Sequence, residues 1–123
     1  YDTGRRPGTG KLVKTNPRMT AVFVTNYEMP MGAVIGLNEL GMRVPEEISV
    51  IGFDNLQFAR ACSPKLTIVA QPTVEIAREA AGLMLKRLES RTGESPAEYC
   101  EEKLSTEIIM GRSVLNIREQ NLE

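Results

Sequence analysis

The sequence predicts an α/β fold in which helices flank a parallel sheet in three layers. Three observations lead there. Short apolar runs rich in β-branched residues occupy Thr20–Thr25, Ile48–Phe53 and Leu66–Ala70, as strands buried on both faces would. Apolar residues recur at helical spacing over Glu28–Leu40 and Thr73–Arg91. The alternation of the two patterns implies parallel strands joined by right-handed crossovers.

Taken in order, Tyr1–Lys14 carries Gly4, Pro7, Gly8 and Gly10 and reads as a weak helix. Its glycines do not make a phosphate loop. Gly10-Lys11 is followed by Leu12 where Ser or Thr is required, and no apolar strand precedes it. Thr15–Met19 is a polar connector, and the first strand ends on Asn26 and Tyr27. In the next helix Met29, Ala33, Ile35, Leu37 and Leu40 supply the apolar face, and Pro30 fits its first turn. Gly41 offers the left-handed residue that ends a helix, and Pro45 blocks its resumption. The strand Ile48–Phe53 then runs into Asp54 and Asn55. Ligands of open parallel sheets bind beyond the carboxyl ends of the strands, so Asp54 is the first functional candidate.

Leu56–Lys65 reads as an irregular connection with enough apolar character to pack against the domain's own core or a second subunit. After the strand Leu66–Ala70, Gln71-Pro72 closes the run and Thr73 opens the longest helix. Val74, Ala77, Ala81, Met84, Leu85 and Leu88 line one stripe of that helix, and charged residues cover much of the remainder. Arg91–Pro96 is a turn, Ala97–Leu104 an edge strand or linker, and Ile108–Gly111 a short strand. Asn116–Glu123 is polar and frayed.

Composition narrows the function. Lys and Arg number 15 against 16 Asp and Glu, a net charge of -1, which argues against a nucleic-acid surface on these residues. There is no histidine, no nucleophile paired with a base and no carboxylate cluster spaced for a metal, so neither an enzyme nor a metal site or cofactor is expected. No apolar run approaches the roughly 20 residues of a membrane span, and no signal peptide is visible. Cys62 and Cys100 lie far apart; a disulfide between them stays open, with two free thiols of a cytoplasmic protein the favoured reading. At 123 residues beginning with Tyr, the chain has the size of one domain and reads as a fragment or a processed form.

The ordered motifs TAVFVTN, MPMGAVIGLNELGMRVPEEISVIGFDN, PKLTIVAQP, a long amphipathic helix and EIIMGRSV resemble the lactose/galactose-repressor family of bacterial transcription regulators. The likeness covers residues 1–114, leaving 115–123 as a polar tail. It implies a periplasmic-binding-protein-like fold of type I, whose two subdomains flank an effector cleft. The chain would hold the C-terminal subdomain and part of the N-terminal one, to which the helix 73–91 would belong. That helix would then expose its apolar stripe, and the chain is expected to dimerise or pack it in a new position. The parent's helix-turn-helix, which would carry DNA binding, is absent from these residues.

The resemblance also implies roles. Asp54 matches the acidic residue of the GFD turn that accepts hydrogen bonds from the effector, a small molecule of sugar or similar type. Asn26 matches the Asn after the preceding strand, Gln71 a cleft-lining Gln, and Tyr1 an aromatic that stacks on the sugar. Tyr27 stands where the family commonly has Asp. This widens the expected effector to more apolar, aromatic or phosphorylated molecules, and leaves open a parent that responds to a protein partner. Gly32, Ile35, Leu56, Phe58, Arg60 and Cys62 fall on segments implied to form a homodimer interface. The alternative from another class is a fragment of a solute-binding protein for sugar transport.

Overall fold

The computed structural model describes residues 8–89 and 100–117. Its elements are α1 (Thr9–Thr15), β1 (Ala21–Phe23), α2 (Met29–Glu39), β2 (Ser49–Phe53), α3 (Leu56–Ala61), β3 (Thr67–Ala70), α4 (Thr73–Glu89) and β4 (Glu107–Ile109). The sheet runs β1-β2-β3-β4. β1 pairs parallel with β2, Val22 opposite Val50, and β2 pairs parallel with β3, Gly52 opposite Ile68. The expected α/β parallel architecture is therefore present.

Two compact units divide the chain. One holds the described residues up to Ala70 together with those from Ile108, and the other holds Gln71–Glu107. The core of the first unit is Leu37, Ile48, Val50, Ala59, Leu66 and Ile68. These come from α2, β2, α3 and β3 with their approaches. Each fully buried aliphatic side chain among them contributes about 1.5–3 kcal/mol, so the β2–β3 pair is the energetic centre. In the second unit α4 has no buried residue. Val74, Met84, Leu85 and Leu88 are all more than half exposed.

The stretch between α2 and β2 folds as its residues dictate. Gly41 takes φ +68°. Its N–H donates to the Asn38 carbonyl at 3.0 Å, and the Met42 N–H donates to Leu37 at 3.0 Å. This is the paired Schellman closure of a helix end. The Glu47 carboxylate then accepts from the Arg43 N–H at 2.8 Å and from its guanidinium Nε at 3.3 Å. Those bonds hold the Glu47 carboxyl below its usual pKa, the main-chain bond most of all.

Several boundaries differ from expectation. Leu56–Ala61 is helical rather than irregular, because Asn55 caps it: the Asn55 side-chain oxygen accepts from the Phe58 N–H at 3.2 Å. β1 is shorter than the apolar run that contains it. Residues 100–106 carry no strand, since only Glu107–Ile109 pairs. The expected turn at 91–96, the last two residues of the 73–91 helix, the first three of the 97–104 segment, and the tail from 118 lie outside the described residues.

The segment after β4 closes the first unit. The Ser113 carbonyl accepts from the Val50 N–H at 2.8 Å, and its hydroxyl donates to the Val50 carbonyl and accepts from the Thr67 N–H at 2.8 Å. Ser113 is fully buried. Gly111 makes this approach feasible, because a Cβ there would overlap main-chain atoms of Lys65 and Leu66.

Candidate functional site

The site is built where β1 and β2 end. Their register sets Phe23 beside Ile51, so the loops that follow them are neighbours. The Asp54 N–H donates to the Val69 carbonyl at 2.8 Å and carries the β2–β3 pairing one residue further. The chain then reverses sharply. Asp54 has φ +54° and Asn55 has φ +34°, two consecutive non-glycine residues in the left-handed region. Asp and Asn bear this conformation better than other side chains, which accounts for both residue types at this turn. Such backbone strain, about 1–3 kcal/mol per residue, gathers at ligand clamps and switch regions.

On the adjacent loop, the Asn26 side-chain oxygen accepts from the Glu28 N–H at 2.8 Å and shapes the entry to α2. The bond commits the oxygen to the backbone, so the NH2 is the end of Asn26 suited to a ligand. Tyr27 is 57% exposed. The two loops are tied directly: the Asn55 side-chain nitrogen donates to the Tyr27 carbonyl at 3.1 Å. Asp54, Asn26 and Tyr27 are thus carried on adjoining loops at one end of the sheet. Gln71 is exposed and belongs to the other unit. Tyr1 lies outside the described residues.

Asn55 is the residue that sequence reasoning passed over. Its signal was an Asn immediately before a short segment able to form a helix. Of the residues expected at a subunit interface, Gly32, Ile35 and Arg60 are exposed, and Leu56, Phe58 and Cys62 pack half-buried against the core. A hollow of 420 Å³ opens at the opposite end of the strands, lined by Val34, Met42, Arg43, Cys62 and Pro64 among others. Burial pushes the Cys62 thiol pKa up. Among the described residues no group of three His, Cys, Asp or Glu is placed to hold a metal ion, and no helix is long and apolar enough to cross a membrane.

The family model described as the periplasmic binding protein-like domain matches residues 3–114. Among curated relatives, the HTH-type transcriptional repressor PurR of Haemophilus influenzae (strain PittEE) is 35% identical over 107 residues, which cover 87% of this chain and 32% of that protein. The repressor PurR of Erwinia tasmaniensis is 41% identical over 85 residues, 69% of this chain and 25% of the relative. Among solved structures, a transcriptional regulator CelR–cellobiose complex aligns with TM-score 0.74 at 31% identity, over 85% of this chain and 31% of that one. A LacI family transcriptional regulator from Enterococcus faecalis V583 with bound ribose aligns with TM-score 0.71 at 30% identity, over 86% and 39%. The chain spans about a third of the length of the first of these curated relatives. These relatives are transcription regulators rather than transport proteins, which bears out the resemblance read from the ordered motifs. The chain belongs to the periplasmic binding protein-like domain family, in the form carried by LacI-type transcriptional regulators.

Proposed function

We propose that the chain is the effector-sensing and dimerisation portion of a bacterial DNA-binding transcriptional regulator, and that Asp54 with the Asn26–Tyr27 loop forms one wall of its effector site. One observation carries this reading: the two loops leave adjacent parallel strands and are fastened to each other by the bond from Asn55 to Tyr27. An Asp carboxylate is an acceptor, the Asn26 NH2 is a donor, and the exposed Tyr27 adds an aromatic face. That set suits a hydroxyl-rich ring, a sugar or a sugar-like molecule. The cellobiose and ribose complexes of the structural neighbours support the same class.

Gln71 and Tyr1 are further contacts in this reading. The helix Thr73–Glu89 belongs with the second subdomain of the cleft. The exposed Gly32, Ile35 and Arg60, flanked by Leu56, Phe58 and Cys62, form the homodimer contact. DNA is met by a helix-turn-helix outside these residues, which agrees with the net charge of -1. The protein acts in the cytoplasm, as a sensor and not a catalyst.

A thermal-shift screen of sugars, sugar phosphates and nucleobases on the full-length parent tests the reading. A binder raises the unfolding midpoint with concentration, by mass action. If no compound of these classes shifts the midpoint at millimolar concentration, the effector class is wrong.

A further inference from the structure

One side chain faces both the candidate effector loop and the helix that follows Asp54. The Asn55 amide nitrogen donates to the Tyr27 carbonyl at 3.1 Å, and its oxygen accepts from the Phe58 N–H at 3.2 Å. The Asn55 main-chain carbonyl also accepts from the Ala59 N–H at 3.0 Å. Among the described residues, no other hydrogen bond joins residues 25–28 to residues 55–62. We propose that Asn55 is a positioning residue that couples the Asn26–Tyr27 loop to helix α3, so that a displacement of either is felt by the other.

The geometry explains why. A carboxamide is planar and rigid, so its two ends cannot move independently. If the Tyr27 carbonyl shifts, Nδ2 either follows and turns Oδ1 away from Phe58, or loses its own partner. The left-handed backbone at Asn55, φ +34°, fixes the Cβ direction that lets one side chain reach both partners. The bond to Tyr27 is to the main chain, so the link does not depend on the ring. An Asp at this position would cap α3 as well but has no donor for Tyr27. The functional meaning of the link rests on the reading above, in which the loop meets the effector and α3 borders the second copy. Coupling of this kind is reciprocal: a ligand ordering the loop would stabilise the first turn of α3, and a partner ordering α3 would pre-order the loop.

A double-mutant cycle read by amide hydrogen exchange of Phe58 and Ala59 tests this. Asn26→Ala removes the acceptor that shapes the loop. Alone, it is expected to speed exchange at Phe58 by roughly fivefold or more, the low end of usual coupling between sites. In an Asn55→Asp background, where the cap survives and the tie does not, Asn26→Ala is expected to leave Phe58 exchange unchanged. Asn55→Gly keeps the left-handed backbone and the main-chain acceptor of the Ala59 N–H without adding charge, and it should abolish the response at Ala59 in the same way. An equal response in all backgrounds, or none in the wild type, would overturn the proposal. No ligand enters this cycle. A failed effector screen would therefore count against the sensing reading alone, and a flat cycle against the coupling alone.

Discussion

Ser113 bonds both main-chain poles of Val50, one through its carbonyl and one through its hydroxyl, from 63 residues away. The same hydroxyl accepts from the Thr67 N–H. A single buried side chain thus pairs groups on β2 and at the start of β3, and it sews the returning segment to both strands.

Ser113→Ala removes that hydroxyl and leaves the Thr67 N–H and one lone pair of the Val50 carbonyl buried without it. An unpaired buried group costs about 1–3 kcal/mol, so a loss of about 2–4 kcal/mol is expected in urea unfolding. Ser105→Ala, at an exposed position, should stay within about 0.5 kcal/mol of the wild type. Similar values for the two would mean that the Ser113 clasp contributes little.

Two glycines should respond very differently to the same added methyl. At Gly41 the methyl has open space, and the cost comes from φ +68° alone, about 1–2 kcal/mol. At Gly111 it meets the main chain of Lys65 and Leu66, so the segment must lift away and release Ser113 with it. Gly111→Ala is expected to be the more damaging by at least 1–2 kcal/mol, or to give no folded protein, as circular dichroism would report.

The Cys62 thiol should be the slow one. Burial raises its pKa, so less thiolate, the reactive form, is present at a given pH. With iodoacetamide at pH 8, mass spectrometry should find the exposed Cys100 alkylated well before Cys62, and the gap should close in denaturant. The sign for stability follows. The fold favours the neutral thiol, so its contribution is complete below the unfolded-state pKa and is lost as pH rises through the raised folded value. Equal native rates would contradict this placement.

Much of the fold was legible because it is written in local pattern. The β-branched runs gave the three paired strands, and Gly41 before Pro45 gave the helix stop. α3 was not legible. Six residues, LQFARA, are too few for a helical period to show. The helix depends on the Asn55 cap, a local signal that was passed over, and on burying Ala59, a tertiary fact. Asp54 could be singled out by the rule that strand ends carry sites. Its neighbourhood with Tyr27 follows from the β1–β2 register, and the tie through Asn55 spans 28 residues. The Ser113 clasp is hidden for the same reason, since nothing local marks one serine as the partner of a strand so distant in sequence.

The central claim is that Asp54 meets the effector, and its most direct measurement is calorimetric titration of the best ligand from the screen against wild type and Asp54→Asn. Asn is the appropriate replacement because it tolerates φ +54° and keeps the shape, while it removes the charge and turns one acceptor oxygen into an NH2 donor. Alanine would add backbone strain to the result. Hydrogen bonds to charged groups are worth about 1.5–3 kcal/mol, so affinity should fall roughly tenfold or more. Unchanged affinity in Asp54→Asn would contradict the account and move the effector away from the carboxyl end of β2.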